Sequence, residues 1–208
     1  MDAVRAASAP ETTARYDRMV AELRRVGAAD GALKAGDAAP EFVLASAEGR
    51  LVSSETLLAA GPVVLSFYRG RWCPYCVTEL EALEEAAAEI ASLGASLLAV
   101  TGETGGGALS AKRDKGLSYE ILTDPDNGLS LAYGLVFRLN DEVNGRYQQI
   151  GIDFPAIYGN ASRFLPIPGT FVIDQKGIIR HAYVNPDFRE RMDPAEIVTV
   201  LKALRAGP

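Results

Sequence analysis

Short apolar runs alternate along this chain with amphipathic segments whose apolar residues recur every three to four positions. The clearest succession is a β-rich run from Val63 to Tyr68, an amphipathic segment over 77–93 and a second apolar run from Ser96 to Thr101. The middle segment places one set of residues on a single helical face: Leu80, Leu83, Ala87, Ile90 and Leu93. The remaining positions hold glutamates, with Glu79 first among them. This pattern predicts two parallel strands joined by a right-handed helical crossover.

The rest of the pattern predicts an α/β domain with a central mixed sheet flanked by helices. The expected elements are a hairpin at 42–44 and 50–52, a helix at 105–115, a strand at 121–123, a strand pair at 170–174 and 178–184, and a terminal helix at 194–204. Helical spacing over 11–26 predicts an amphipathic arm that packs on the domain or on a second subunit. We therefore divide the chain into a helical arm, 1–32, and a domain, 33–208. The irregular stretch 138–166, in which a helix is expected around 141–150, is interpreted as an insertion near the active face.

Bulk properties narrow the functional class. The 208 residues are 48% hydrophobic and 23% charged, which is ordinary for a globular protein. The net charge of −6, with Lys and Arg spread along the chain, argues against nucleic-acid binding. No window approaches ~18 uninterrupted apolar residues, so we expect no membrane span. The first ten residues lack the apolar core of a secretory signal, and we expect a cytoplasmic protein.

Cys73 and Cys76, the two cysteines of the chain, stand between the first apolar run and the predicted helix. A helix N-terminus stabilises a thiolate, and Arg69 and Arg71 add nearby cations. This arrangement favours thiol–disulfide redox chemistry. A zinc site and a pair of inert thiols are the alternatives, but zinc takes about four N/S ligands and only His181 remains to supply one. We expect neither a metal nor a cofactor.

Several motifs, in order, resemble the peroxiredoxin-like branch of the thioredoxin fold, the alkyl hydroperoxide reductase and thiol-specific antioxidant group. They are Lys34–Phe42, Phe67-Tyr68, Cys76–Leu80, Leu122–Asp126, and Thr170–Asp174 with Lys176–Arg180. The resemblance implies a thioredoxin-like fold over most of the chain. It also implies a thiol peroxidase that reduces hydroperoxides, is regenerated by an external thiol and forms a homodimer.

The active loop departs from the family pattern. Cys76 stands at the family's peroxidatic cysteine, but Arg69 stands at its proline and Cys73 at its threonine. Pro168 occupies the place of the family's arginine, where thioredoxins carry a cis-proline. The segment from Cys73 to Cys76 also resembles a glutaredoxin redox motif. The site is thus thioredoxin-like in a peroxiredoxin-like frame.

Two routes to the same Cys73–Cys76 disulfide stay open. In one, Cys76 attacks a peroxide and its sulfenic acid condenses with Cys73. In the other, Cys73 attacks a substrate disulfide and Cys76 resolves the mixed disulfide. An external dithiol, thioredoxin-like, or a low-molecular-weight thiol then reduces the enzyme. A non-catalytic redox sensor or binding module is the alternative from another class.

The supporting residues carry alternatives of their own. Arg69 and Arg71 are either catalytic cations or solvated surface charges. Trp72 either packs beside the site or contacts substrate. Pro168 is expected to be cis by analogy with thioredoxin, the alternative being an ordinary trans-proline before a strand.

Overall fold

The computed structural model describes residues 1–6 and 9–206. Its helices are α1 (Asp2–Ala6), α2 (Pro10–Arg25), α3 (Ser54–Ala60), α4 (Pro74–Ser92), α5 (Gly107–Lys115), α6 (Gly128–Ala132), α7 (Asp141–Gln149), α8 (Phe154–Tyr158) and α9 (Pro194–Ala206). A short 3-10 turn covers Pro125–Asn127. None of the helices in the described part of the chain combines the length and apolar character needed to cross a bilayer.

The strands form one large sheet and one small hairpin-like pair. They are β1 (Val43–Ser46), β2 (Leu51–Ser53), β3 (Val63–Phe67), β4 (Ser96–Thr101), β5 (Glu120–Thr123), β6 (Val136–Arg138), β7 (Phe164–Pro166), β8 (Gly169–Ile173) and β9 (Ile179–Val184). The large sheet runs β2-β1-β5-β4-β3-β8-β9, and β6 pairs with β7 apart from it. β3 is parallel to β4 and antiparallel to β8, so the sheet is mixed. The predicted parallel pairing of the two strands that flank α4 and the predicted thioredoxin-like fold are confirmed.

Strand β3 lies at the centre of the molecule and is buried along its whole length. Its side chains alternate between two hydrophobic layers, as the period of a strand requires. Val63, Leu65 and Phe67 face the layer that α3 and α6 cover. Val64 and Tyr68 face the layer that α4 and α9 cover, and both cysteines belong to that second layer. The active loop therefore emerges from the most buried strand, where the backbone is held from both sides.

The arm packs on its own domain. Met19, Val20 and Leu23 of α2 are buried in the layer that holds the cysteines. Asp17 adds an ion pair to Arg189 over 2.7 Å, and Arg5 adds another to Glu190. The apolar face of α2 is thus covered within the chain, which removes the sequence argument that a second subunit covers it. The division at 32/33 stays a prediction.

Residues 138–166 hold more regular structure than the sequence predicts. Helix α7 falls where a helix was expected, but α8 and the β6–β7 pair were not expected. Asn140 and Asp153 cap the two helices through their side chains, accepting hydrogen bonds from the backbone N–H groups of Val143 and Ala156. These local caps start helices in a stretch whose glycines and prolines suggest a loop. The interpretation of this stretch as an insertion stays a prediction.

Candidate active site

Both cysteines lie at the start of α4, immediately after the loop that leaves β3. Cys73 is the N-cap residue, and Pro74 occupies the first helical position, where its missing N–H costs nothing. The Cys76 N–H donates to the Cys73 carbonyl over 3.0 Å, closing the first turn. Both thiols are free and buried, with exposures of 1% for Cys73 and 0% for Cys76. The chain therefore presents a compact dithiol at the positive end of a 19-residue helix.

Arg69 is the nearest cation to the first cysteine. Its Nη2 donates a hydrogen bond to the Cys73 sulfur over 3.0 Å, and the side chain is only 1% exposed. The guanidinium stacks over the Phe188 ring at 3.7 Å and lies 4.9 Å from the centre of the Trp72 ring. Its Nε and Nη1 atoms are buried without a hydrogen-bond partner. Two N–H donors of this guanidinium thus make no hydrogen bond, although the Tyr147 hydroxyl lies next to it.

The surroundings shift the pKa values of the two thiols in opposite directions. Burial alone would raise the pKa of Cys73, but a hydrogen bond from Cys76 and the charges of Arg69 and Arg191 hold this pKa well below its usual range. Burial and the neighbouring Cys73 sulfur raise the pKa of Cys76. The geometry agrees, because Arg69 has no carboxylate partner in the described structure while Arg191 is already paired with Glu79. Both effects make Cys73 the more acidic of the two thiols.

Arg191 is a site residue that sequence reasoning missed. It lies just before α9, and its Nη2 donates to the Cys76 sulfur over 3.3 Å. Its Nη1 donates to the Glu79 carboxylate, and both side chains of this ion pair are at most 5% exposed. Burial raises the pKa of Glu79 to about 7, against the opposing charge of Arg191. The sequence assigned Glu79 to the solvent-facing side of the helix, and this was wrong because its partner Arg191 comes from 112 positions away.

The segment 138–166 supplies an aromatic wall behind the active loop. Trp72 makes edge-to-face contacts with Tyr147 and Phe154 at ring-centre distances of 5.2 and 5.1 Å. The Trp72 Nε1 donates to the Tyr158 hydroxyl over 3.1 Å, and that hydroxyl donates to the Arg69 carbonyl. Trp72 therefore packs beside the site. The expected position of this segment near the active face matches these contacts.

Arg71 points away from the sulfurs. Its side chain is 53% exposed and lies 3.8 Å from Asp114. Its backbone N–H donates to the Glu103 carboxylate over 3.0 Å, and burial raises the pKa of Glu103 to about 7. Gly70 adopts a φ of +154°, and a Cβ at this position would meet Trp72 at 2.6 Å and Glu103 at 2.8 Å. The turn between Arg69 and Arg71 thus depends on a glycine at position 70. Of these two predicted cations, the structure places only Arg69 at the dithiol.

Pro168 is buried at the turn between β7 and β8. Its neighbour Gly169 pairs with Phe67, so Pro168 lies at the end of the sheet from which the active loop leaves. The described residues contain no cis peptide bond, so the expected cis-proline is corrected to trans. The ordinary stereochemistry of the X–Pro bond prevails over the analogy with thioredoxin. No group of potential metal ligands occurs among residues 1–6 and 9–206.

Together, the fold and the site define a thiol-dependent oxidoreductase of the thioredoxin fold. The AhpC/TSA family model matches residues 35–182, and the chain belongs to this family. The chain is 24% identical over 198 residues to a chloroplastic peroxiredoxin Q of Oryza sativa subsp. japonica, covering 95% of this chain and 76% of that protein. The predicted class, a thiol peroxidase with a cysteine-based cycle, is confirmed.

Solved structures share the fold. The crystal structure of peroxidoxin BcpB from Mycobacterium tuberculosis superposes with a TM-score of 0.65 at 22% identity, covering 85% of this chain and 99% of that one. Peroxiredoxin Q of Xanthomonas campestris gives a TM-score of 0.61 at 18% identity, covering 79% of this chain and 91% of that one. At these identities the likeness concerns the fold, and the roles of individual residues must be argued from this site.

Proposed function

We propose that Cys73 is the nucleophile that attacks the hydroperoxide and that Cys76 resolves the product to a disulfide. The observation that carries this order is the hydrogen bond from the buried Arg69 to the Cys73 sulfur. Because the thiolate is the reactive form of cysteine, the sulfur that holds a guanidinium partner reacts first. The order reverses the one implied by the family resemblance, in which Cys76 stands at the peroxidatic position.

The first step is a displacement at oxygen. The Cys73 thiolate attacks the terminal peroxide oxygen, the O–O bond breaks, and the alkoxide leaves and takes up a proton. We infer that the unpartnered Nε and Nη1 donors of Arg69 stabilise charge on the departing oxygen. Cys73 then carries a sulfenic acid.

The second step closes the cycle to a disulfide. The Cys76 thiol attacks the Cys73 sulfenic sulfur, an S–S bond forms, and water leaves with the Cys76 proton. Arg191 holds the Cys76 sulfur close to this position through its 3.3 Å contact. Two equivalents of an external thiol then reduce the disulfide and restore the dithiol.

A thioredoxin-like disulfide reductase is the second candidate, because it too would use a thiolate on Cys73 and a thiol on Cys76. The burial of Cys73 weighs against it, since a protein disulfide must reach a sulfur that is 1% exposed. A non-catalytic sensor would react with peroxide once and would not turn over with any reductant.

The proposal also includes the cellular compartment of this cycle and the oligomeric state of the protein. A cycle that ends in a disulfide needs a supply of reduced thiol, which favours the cytoplasm as the working compartment. The solved structures that share the fold include a 2-Cys peroxiredoxin of Plasmodium vivax, and we propose that this chain forms a homodimer. Light scattering of the purified protein measures its mass directly.

A trapping experiment on three proteins tests the assignment of the two cysteines. Wild type, Cys73→Ser and Cys76→Ser are mixed with one equivalent of peroxide, and sulfenic acid is captured with a dione reagent and located by mass spectrometry. We expect Cys76→Ser to accumulate sulfenic acid on Cys73 and Cys73→Ser to accumulate none. Sulfenic acid on Cys76 of the Cys73→Ser variant at the wild-type rate would reject the assignment.

A further inference from the structure

A cavity of about 670 Å³ lies between α2 of the arm and α7. Its volume falls within the range of ~300–1,000 Å³ typical of small-molecule sites. The floor is apolar and aromatic, and the lining residues that form it are Tyr16, Met19, Val143, Tyr147 and Ile150. The cavity is distinct from the peroxide position described above, which lies directly at the sulfur.

The floor of this cavity is one aromatic layer from the dithiol. Tyr16 packs edge-on against Phe188 at 5.0 Å, and the Phe188 ring lies under the Arg69 guanidinium. Tyr147 packs edge-on against Trp72 at 5.2 Å, and the centre of the Trp72 ring lies 4.9 Å from the same guanidinium. The Tyr147 hydroxyl is buried beside the Arg69 guanidinium. Two aromatic side chains of the lining, Tyr16 and Tyr147, thus separate the cavity from the residues around the dithiol.

Some of the charged side chains that line the cavity form ion pairs, and others do not. Two of the lining carboxylates are occupied by arginines outside the cavity: Glu22 bonds Arg25, and Asp141 bonds Arg163. Their charges are therefore compensated before any ligand arrives.

Three charged side chains of the lining form no ion pair with a described residue, and they are two arginines and one glutamate. Arg18 has no hydrogen bond or ion pair to any other described residue, and Arg146 bonds only the neutral amide of Gln149. Glu142 is likewise without a partner in the described structure. Arg15, the third lining arginine, is paired with Glu11. The walls thus suit a small molecule that carries carboxylates and an amine.

We propose that this cavity binds the reductant of the Cys73–Cys76 disulfide, and that the reductant is a low-molecular-weight, carboxylate-bearing thiol. The inference rests on the proposed dithiol cycle and names the thiol that closes it. A small thiol fits a cavity of this volume, with its carboxylates at Arg18 and Arg146. An external protein dithiol would have to bring its own backbone to a sulfur that lies under the arm.

The reduction balances with two thiols. The first thiolate attacks the Cys73 sulfur, the Cys73–Cys76 bond breaks, and Cys76 leaves and takes up a proton. The second thiolate attacks the sulfur of the bound thiol in the mixed disulfide, releasing a small-molecule disulfide and the Cys73 thiolate. Entry to the sulfur requires the ring of Tyr16 or Tyr147 to turn aside.

The reductive half-reaction tests the proposal by stopped flow. Trp72 is the single tryptophan of the chain and packs beside the active loop, so its fluorescence reports the state of the dithiol. The full-length enzyme is oxidised to the Cys73–Cys76 disulfide with diamide and mixed with glutathione, glutathione diethyl ester or a thioredoxin. The variants are Arg18→Gln and Arg146→Gln. Arg113→Gln, an exposed arginine on α5, is the matched control.

We expect each cavity variant to raise the half-saturating concentration of glutathione about tenfold, since one charge-assisted contact is lost. The ester, whose carboxylates are masked, should react equally with wild type and variants, and Arg113→Gln should behave as wild type with every reductant. Equal glutathione dependence in Arg18→Gln, Arg146→Gln and Arg113→Gln would overturn the proposal. So would faster reduction by thioredoxin than by glutathione at equal thiol concentration.

Diamide as the oxidant allows the proposed reductant site and the proposed reaction with peroxide to be tested separately. Diamide forms the disulfide without peroxide, so the reductive half-reaction is measured even if the peroxide step fails. Loss of reaction with peroxide, with a normal dependence on Arg18 and Arg146, would reject the proposed function alone.

Discussion

Arg69 and Cys73 form a buried guanidinium–sulfur pair, with Nη2 donating to the sulfur over 3.0 Å and no carboxylate bonded to the arginine in the described structure. Because an unpaired buried charge is costly, the pair is compensated only when Cys73 is a thiolate. The same contact that satisfies the arginine therefore stabilises the thiolate of Cys73, the proposed nucleophile. Removing either member leaves the other uncompensated in a low-dielectric site.

Substitution Arg69→Met tests this dependence. Without the guanidinium, burial should raise the Cys73 pKa toward or above the ~8.5 of a free cysteine. We expect the second-order rate with peroxide at pH 7 to fall by about one to two orders of magnitude, as the thiolate fraction falls. Arg69→Lys, which keeps a cation, should retain more of the rate. Arg71→Met is the control, and a loss of rate in it equal to that of Arg69→Met would contradict the assignment.

The Glu79–Arg191 pair is expected to act on the resolving step. Both members are buried, so the double variant Glu79→Gln/Arg191→Met removes the pair without leaving one charge alone. We expect sulfenic acid to form on Cys73 within several-fold of the wild-type rate. Its lifetime should lengthen, because Cys76 is no longer held. Rapid trapping with a dione reagent at successive times measures both quantities. Loss of sulfenate formation with unchanged resolution would assign the pair to the first step instead.

Glu103 should make the protein less stable as pH rises through the weakly acidic range. Burial raises its pKa to about 7 in the folded state, against about 4.3 in an unfolded chain. Between these two values the folded state holds a proton that the unfolded state has lost, so the free energy of unfolding decreases with pH. The loss is about 3–4 kcal/mol by pH 8.

Glu103→Gln keeps a side-chain acceptor for the Arg71 N–H and cannot ionise. Denaturant unfolding at pH 4.5, 6 and 8 should show the variant gaining on wild type as pH rises. Glu85→Gln on the exposed side of α4 is the matched control. A difference between Glu103→Gln and wild type that does not change with pH would contradict the prediction.

Gly70→Ala should destabilise the active loop by about 1–3 kcal/mol, because its φ of +154° and the two close contacts leave no room for a Cβ. Gly145→Ala in α7 is the control, since no atom lies within 4 Å of the added Cβ there and alanine favours helix. Thermal unfolding compares the two. Equal midpoints for both variants would show that the turn tolerates a side chain.

The elements built from local periodicity were predictable from the sequence. Strand β3, helix α4 and strand β4 follow one another as the apolar pattern indicates, and the Cys73–Cys76 pair marks the functional end of the helix. The partners of these cysteines were only partly predictable. Arg69 is close in sequence, but nothing local tells it from Arg71, and the glycine between them turns one inward and the other outward.

Contacts between distant segments were not predictable from local patterns. Arg191 and Phe188 reach the site from the segment before α9, where alternating charges suggest only an exposed loop. Tyr16 and Tyr147 are 131 positions apart in the sequence, and the apolar face of either helix does not indicate which element it packs against. Periodicity determines which face of an element is buried, but not which distant residues it meets.

The pKa of Cys73 in the reduced enzyme is the most direct test of the proposal that Cys73 is the nucleophile. Alkylation by iodoacetamide, followed residue by residue by mass spectrometry from pH 4 to pH 10, gives the pKa of each thiol. Cys73 should react as a thiolate well below pH 8.5, while Cys76 stays protonated to the alkaline end of the range. A Cys76 that ionises first, or a Cys73 that stays protonated above pH 8.5, would contradict the assignment of the nucleophile.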